Sequence, residues 1–376
     1  MKRQLPTTLA VLGLVWLSQS APVGGQDLSV SGTASGGIRI TKSGSGSPGL
    51  GLTSRLSVRA LSETPTTAVD GTAAIGFSLN RGDTDTSLSA GIGARTEFKR
   101  TRLSTRLSFS RVPTNFAELD FSGDTLDLIN LEGTRTRTSL SFNGDHDLDS
   151  RTVARAALSY TRTDYEPVNA DQVPSDNYTL SAGVTHDLNR RTRLIADTRF
   201  GWFTSESAAD TESFSASASA GLRHELDSRT TVNGSLGLSF VNTEETAIGV
   251  RTSTWNTAIL LDAGISHAYS DGTVSLGLSQ KVGPGTDGAM EVNVALNGSI
   301  SYDINAREQI LVNGRLSRLS NVDGGGSETV LTLAPSYKIE IADGLDARAA
   351  YTLQNADGDT SHRLSLDVSK TFEGRQ

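Results

Sequence analysis

Apolar and polar residues alternate one by one over long stretches of the chain. In the stretch 177–188 (NYTLSAGVTHDL), one parity holds Tyr178, Leu180, Ala182 and Val184, and the other parity holds polar side chains. Successive side chains of a β-strand point to opposite faces, so this pattern predicts a strand with one apolar face. The same alternation recurs at 214–222, 232–240, 292–302, 345–353 and 364–372. No segment of helical length beyond residue 25 shows the 3.6-residue period of a helix.

Short turns with a shared sequence join the strands in pairs. Near-copies stand at 144–152 (GDHDLDSRT), 184–192 (VTHDLNRRT) and 222–230 (LRHELDSRT). A spacing of about 40 residues also occurs in β-propellers, whose blades pack four short strands into each period. Here each period holds two strands of roughly 10–13 residues, which is the length of a tilted transmembrane β-strand. The spacing therefore predicts long hairpins and not propeller blades.

A second set of connections lies between the tight turns. These connections stand at 42–49, 80–85, 112–133, 164–176, 203–212, 242–252, 283–288, 320–328 and 355–360. Alternation of the two sets predicts an all-β, antiparallel, up-and-down barrel of about 18 strands (16–18), with both termini on the side of the tight turns. An aqueous β-sandwich is the alternative, since it also buries one face of each strand.

Aromatic residues distinguish between the barrel and the sandwich. One group lies on the apolar face near the ends of the strands away from the tight turns: Tyr160, Tyr178, Trp202, Phe214, Phe240 and Trp255. A second group lies near the tight turns: Phe98, Tyr269, Tyr302, Tyr337 and Phe372. Two aromatic belts around an aliphatic band are typical of the membrane interfaces of a transmembrane barrel, whereas a sandwich would concentrate its rings at mid-strand.

The N-terminus has the pattern of a secretory signal peptide. A basic start (Met1–Arg3) precedes the apolar run 9–17 (LAVLGLVWL), and small residues follow that allow cleavage after Ser20 or Gly25. We therefore expect residues 1–25 to be a cleaved signal peptide and residues 26–376 to form a single barrel domain. Because the strand pattern begins by Val30, we expect no N-terminal plug domain.

Composition agrees with this architecture. Only 36% of the residues are hydrophobic, which suits a barrel because one face of each strand meets lipid while the other meets water. The chain has no Cys, so a disulfide scaffold, an iron–sulfur cluster and a thiol nucleophile are excluded. A net charge of −8 without a basic arm argues against nucleic-acid binding.

These features together resemble the Gram-negative outer-membrane β-barrels, and porin-like members in particular. The last strand, 362–372 (HRLSLDVSKTF), alternates and ends on Phe372, with a tail of four residues beyond it. The resemblance implies a location in the outer membrane, contact with its lipid, and recognition of Phe372 as the barrel-closing aromatic by the barrel-assembly machinery. A face toward lipid and a face toward another subunit look alike in sequence, so a homo-oligomer stays open.

Arginine is the main charged residue on the polar parity, which a barrel turns toward its lumen. The hypothesis of a selectivity wall rests on Arg55, Arg59, Arg95, Arg102, Arg106, Arg135, Arg137 and Arg155, and Arg193, Arg199 and Arg223 continue the pattern. Arginines that line a pore can favour anions. The alternative is that these side chains pair with luminal acids.

The connections away from the tight turns are acidic. The third and longest holds Glu118, Asp120, Asp124, Asp127 and Glu132 without a Lys or Arg, and 164–176 adds further carboxylates. In general porins, which this chain resembles, the third loop folds into the lumen. The resemblance therefore makes 112–133 a candidate constriction loop. A solvated acidic rim or a site for divalent cations is the alternative.

The sequence favours a pore over an enzyme. His146, His186 and His224 occupy the same turn position on the lipid-facing parity, which indicates interfacial residues and not a catalytic or metal site. We expect no enzymatic activity, no metal and no cofactor. The leading prediction is passive diffusion of small hydrophilic solutes, with anion preference as a hypothesis. The alternatives are a barrel component of an exopolysaccharide or protein export or envelope-assembly system, and a structural or adhesive barrel without transport.

Overall fold

The computed structural model describes residues 27–44, 48–80, 83–113, 133–166, 168, 172–206, 210–247, 250–285, 288–322 and 326–375. Within these ranges the chain forms eighteen β-strands. They are β1 Asp27–Ser43, β2 Gly49–Glu63, β3 Thr67–Asn80, β4 Asp83–Glu97, β5 Thr101–Pro113, β6 Thr134–Asp147, β7 Thr152–Glu166, β8 Ser175–Asp187, β9 Thr192–Ser205, β10 Asp210–Glu225, β11 Thr230–Ala247, β12 Val250–Tyr269, β13 Gly272–Pro284, β14 Met290–Asn305, β15 Glu308–Asn321, β16 Ser327–Ala342, β17 Leu345–Ala356 and β18 Asp359–Arg375.

The strands form one closed antiparallel sheet in sequence order. Each strand pairs with its neighbours along the chain, and β1 also pairs with β18, so that Ile38 lies opposite Leu52 on one side and Leu366 on the other. The predicted barrel of about eighteen strands is therefore confirmed. Each of the nine predicted connections overlaps a break between strands, but three of these breaks are only two residues long, at 81–82, 248–249 and 357–358. The predicted signal peptide, 1–25, lies outside the described residues.

The outer surface of the barrel is apolar. Leu236 and Trp255 each expose about two thirds of their side chains, 64% and 66%, on the outward face of β11 and β12. Exposing this apolar surface to water would be unfavourable, whereas contact with lipid is not. The alternation that forms the strands therefore also determines which surface of the barrel lies in the membrane. No helix that could span a membrane is found among the residues that the structure describes.

The repeated turns are closed by an Asp or Asn side chain. The Asp149 carboxylate accepts the Arg151 N–H at 2.7 Å, and Asp227 accepts the Arg229 N–H at the same distance. Asn189 accepts the corresponding N–H in the turn between them. These are Asx turns, in which a side-chain oxygen replaces a backbone acceptor. The N–H groups favour the ionised carboxylate, so the pKa of Asp149 and that of Asp227 are lowered.

A threonine–histidine pair joins neighbouring hairpins beside each of these turns. The threonine that begins one strand and the Nδ1 atom of a histidine near the end of the next strand form a hydrogen bond of 2.8–2.9 Å. The pairs are Thr101–His146, Thr152–His186, Thr192–His224 and Thr230–His267. The histidines therefore lie in one row along the rim that carries the tight turns, consistent with the interfacial position that the sequence predicts.

Pro335 does not interrupt its strand. It lies within β16 and opposite Val312 of β15, while pairing with β17 passes from Leu333 directly to Ser336. Because proline lacks a backbone N–H, hydrogen bonds between β16 and β17 are lost at this point. The register of the two strands is the same on both sides of it.

The wall departs from a regular barrel between β12 and β13. Their pairing ends at Leu261 and Gln280, although β12 continues outward for eleven residues to Val250 alongside β11. The outer ends of β13, β14 and β15 turn into the lumen instead. We call the inward-turned part, residues 281–285, 288–292 and 319–322, the tongue.

Candidate functional site in the lumen

The tongue packs against the inner wall on the opposite side of the gap. Met290 lies in one apolar cluster with Phe203 of β9 and Val241 of β11, and Val282 and Val322 pack against this cluster. Phe203 and Val241 are 2% and 0% exposed. The tongue is therefore held within the lumen by apolar contact.

A hydrogen bond fixes the end of the tongue. The Ser205 hydroxyl at the outer end of β9 donates to the Gly288 carbonyl at 3.0 Å, in a buried position. Gly288 has φ of +86°, and a Cβ there would stand 2.7 Å from the Ser205 Oγ. Glycine alone allows both this backbone conformation and this close approach.

A cavity of about 250 Å³ lies between the tongue and the walls of β6 to β10. Its charged lining consists of three cations and one carboxylate: Arg137, Arg199, Lys281 and Glu291. Asn177, Asn293, Thr161 and Thr179 add polar groups, while Phe203 and Leu319 add apolar surface. Such a site offers a positive field and several hydrogen-bond donors to a small anion.

Arg137 and Arg199 form no ion pair among the described residues, although Glu291 lines the same cavity. They come from β6 and β9, and both side chains stand on the polar parity that faces the lumen. Arg137 also lines a smaller cavity together with Arg135 and the tongue residue Pro284.

Other predicted arginines are paired with acids. Arg102 contacts Asp147 at 3.4 Å and Asp145 at 4.0 Å, and Arg155 contacts Asp145 at 3.5 Å. Neighbouring strands thus share one carboxylate between two cations. This group resembles a wall-stabilising ion-pair network more than a binding surface.

The same holds for two arginines of β4 and β5. Arg106 contacts Asp70 at 3.2 Å, and Arg95 contacts Glu97 at 3.6 Å. Arg55 and Arg59 on β2 differ, because they have no ion pair among the described residues and lie on a different part of the wall from the cavity. The structure therefore divides the predicted selectivity wall into paired and unpaired members.

Acids at the outer rim are paired as well. Arg162 contacts both Asp164 and Asp176, at 3.0 and 3.3 Å, and Arg111 contacts Glu166 at 3.1 Å. These carboxylates of the connection 164–176 thus have basic partners. The candidate constriction residues Glu118, Asp120, Asp124, Asp127 and Glu132 lie outside the described residues.

The barrel superposes on solved outer-membrane porins. It matches Pseudomonas aeruginosa OpdQ with a TM-score of 0.52 and 11% identity, over 93% of this chain and 99% of that one. Acinetobacter baumannii OccAB4 gives 0.53 and 11%, over 94% and 100%. Pseudomonas aeruginosa OccK5 (OpdH) gives 0.51 and 11%, over 93% and 98%. No protein-family model matches the chain, and no curated protein matches it either.

The chain has the fold of an outer-membrane porin. At 11% identity the likeness concerns the fold alone. A closed barrel of eighteen strands with an apolar exterior belongs in the outer membrane of a Gram-negative bacterium, as the sequence predicts. In this porin-like barrel, Phe372 lies on the outward face of β18 opposite Gly32 of β1, next to the closing seam.

The part of the site that the tongue contributes is not predicted from the sequence. Lys281 and Glu291 stand at the edges of a predicted connection, and Phe203 and Val241 are apolar residues on the luminal parity. The sequence does hold one signal for it. Phe203 and Val241 are large apolar residues on a face that is otherwise polar, which predicts that they contact something inside the lumen.

Proposed function

We propose that this protein is an outer-membrane pore for the passive diffusion of small hydrophilic solutes, with a preference for anions set by Arg137, Arg199 and Lys281. It acts without enzymatic chemistry. The cavity beneath the tongue carries this proposal, because three cations meet one carboxylate there.

The size of the barrel supports a pore. Barrels of sixteen to eighteen strands enclose a lumen wide enough for water, whereas smaller barrels fill theirs with side chains. In this barrel the tongue occupies part of that space. Solutes that pass must therefore pass beside the tongue, where the cavity lies.

The distribution of charge supports anion preference chiefly at the tongue, where Arg137 and Arg199 lie close to Lys281. Arg55 and Arg59 also have no ion pair among the described residues, but they lie on a different part of the wall. Arg95, Arg102, Arg106 and Arg155 stand beside carboxylates, so each positive charge is partly offset by a negative one. Selectivity would then arise over a short length of the pore, which favours fast flux.

Charge neutralisation at the cavity tests the proposal. In planar bilayers with a salt gradient, Arg137→Gln combined with Arg199→Gln should lower the chloride-to-potassium permeability ratio about two-fold or more, because the positive field at the cavity falls. The matched control is Arg55→Gln combined with Arg59→Gln, which removes the same charge from the luminal wall away from the tongue. We expect a smaller change in this control.

Two results would contradict the proposal. Equal permeability ratios for both double variants would place selectivity elsewhere. A protein that is folded in the bilayer and yet passes no ions would favour the alternative of a barrel that serves an export or assembly system.

A further inference from the structure

The outer half of β12 has an open edge. From Val250 to Leu260 this strand pairs with β11, and within the part of the chain that the structure describes no strand pairs with its other side. Below that, pairing with β13 is regular from Leu261 to Tyr269.

An open edge is unfavourable where lipid surrounds it. Trp255 lies in the outer aromatic belt, so Thr257 to Leu260 lie on the hydrocarbon side of that belt, and the Ile259 side chain is 58% exposed on the outward face. The backbone N–H and C=O groups along this edge have no strand partner among the described residues, and the hydrocarbon on the outward side offers them none. Transmembrane barrels satisfy such groups by pairing with a neighbouring strand.

Four residues of the tongue match this edge in number and in register. Extending the Leu261–Gln280 register outward places Lys281 opposite Leu260, Val282 opposite Ile259, Gly283 opposite Ala258 and Pro284 opposite Thr257. These are the residues at which β13 leaves the wall. They are therefore sufficient to pair with the part of β12 that lies below Trp255.

The alternation of β13 also suits that position. Leu276 and Leu278 face outward in the paired part of the strand, and Val282 continues their parity. Lys281 and Gly283 would face the lumen. Pro284, which cannot donate a backbone hydrogen bond, would take the last place in the ladder, where its loss of an N–H matters least. Val282 thus has an outward parity although it is partly buried against the apolar cluster inside the lumen.

We propose that the edge of β12 from Thr257 to Leu260 is a docking site for residues Lys281 to Pro284, so that the tongue has two positions. In one, seen here, it packs on Phe203 and Val241 inside the lumen. In the other, it completes the wall, turns Val282 toward lipid and leaves the lumen wider. This proposal concerns the wall and does not depend on the anion preference proposed above.

Cysteine cross-linking tests the second position, since the chain has no Cys of its own. The variant carries Ala258→Cys and Gly283→Cys. A Cβ added at Gly283 meets no atom within 4 Å, so this change is compatible with the inward position. On mild oxidation in outer-membrane vesicles we expect an intramolecular disulfide. In bilayers the single-channel current should rise about two-fold on oxidation and return on reduction, because the lumen widens.

Two further pairs serve as controls. Ser266→Cys with Ser275→Cys joins residues already opposite each other in β12 and β13, at the same type of ladder position, and should cross-link readily. Ser266→Cys with Gly283→Cys joins residues that are distant in both positions and should not. The heat-dependent gel mobility of a folded barrel verifies that each variant folds.

The result that overturns the proposal is a folded Ala258→Cys, Gly283→Cys protein that stays reduced under conditions in which the Ser266→Cys, Ser275→Cys protein cross-links. The cross-link is read on a gel, so it reports docking even if the protein passes no ions. Failure of the pore proposal and failure of the docking proposal are therefore distinguishable.

Discussion

At the scale of single residues, the parity of a position determines which side a charge faces, and its neighbours on other strands determine what the charge does. Arg106 and Arg137 stand on the luminal parity of neighbouring strands. Arg106 meets Asp70 of β3 at 3.2 Å, whereas Arg137 meets no acid among the described residues. Asp70 is 36 positions away in sequence, so the alternation within one strand could not reveal this pairing.

The Asx turns give a prediction at this scale. Asp227→Ala removes the acceptor for two backbone N–H groups, those of Arg229 and Thr230, and should lower the urea concentration at which the barrel unfolds in lipid at pH 7. The pKa of Asp227 is lowered in the folded protein, so its stabilisation is full above the unfolded pKa of about 3.9 and is lost as pH falls through the folded pKa. The deficit of the variant should therefore shrink in acid.

The neighbouring turn, which has Asn189 at the equivalent position, suggests the control for this variant. Asp227→Asn keeps the side-chain oxygen, as Asn189 does in the neighbouring turn, where it accepts backbone N–H groups at 2.9 Å. We expect a smaller loss and a weaker acid dependence. A deficit of Asp227→Ala that stays constant from pH 7 to pH 3 would show that the ionised carboxylate is not responsible.

At the scale of elements, the tongue shows that a strand can keep its apolar–polar alternation and still turn away from the barrel wall. Apolar and polar residues alternate to the end of β13. Periodicity alone therefore places Val282 of β13 toward lipid, and likewise Met290 of the adjoining strand β14. The structure places both against Phe203 and Val241 instead. Contacts between parts of the chain about forty to ninety residues apart decide this, and they carry no local signal.

The apolar cluster gives a prediction at the scale of the element. Phe203→Ala should weaken docking of the tongue by roughly 3 kcal/mol, which is typical of truncating a buried aromatic side chain. Single-channel recordings should then show a larger or more variable current, because the tongue spends less time within the lumen. Phe240→Ala is the control, since Phe240 faces outward on β11. Equal currents for both variants would contradict a role for the cluster.

At the scale of the whole molecule, the barrel closes through strands from the two ends of the sequence. Ser29 to Ser43 of β1 pair with Arg375 to Ser361 of β18, so the seam can form only after the last strand has been made. Phe372 is 57% exposed on the outward face of that seam. In the closed barrel the ring therefore faces the lipid.

The prediction at this scale concerns assembly. Phe372→Ala should slow insertion into the outer membrane several-fold if the ring is recognised, and pulse-chase labelling with heat-dependent gel mobility measures the folded fraction over time. Leu366→Ala is the matched control, because Leu366 is also an outward, exposed residue of β18. Equal rates of insertion for the two variants would show that the ring contributes only apolar area.

Local chemistry made much of this protein predictable from its sequence. A two-residue period, repeated Asx turns and two aromatic belts determined the number of strands, the side of the termini and the face toward lipid, since each depends on neighbours along the strand. The tertiary structure alone decided which luminal arginines have an acid within ion-pair distance, and that β13 leaves β12 at Gln280 to place a tongue in the lumen. Both depend on contacts between residues that are far apart in the sequence, so the pattern within one strand cannot reveal them.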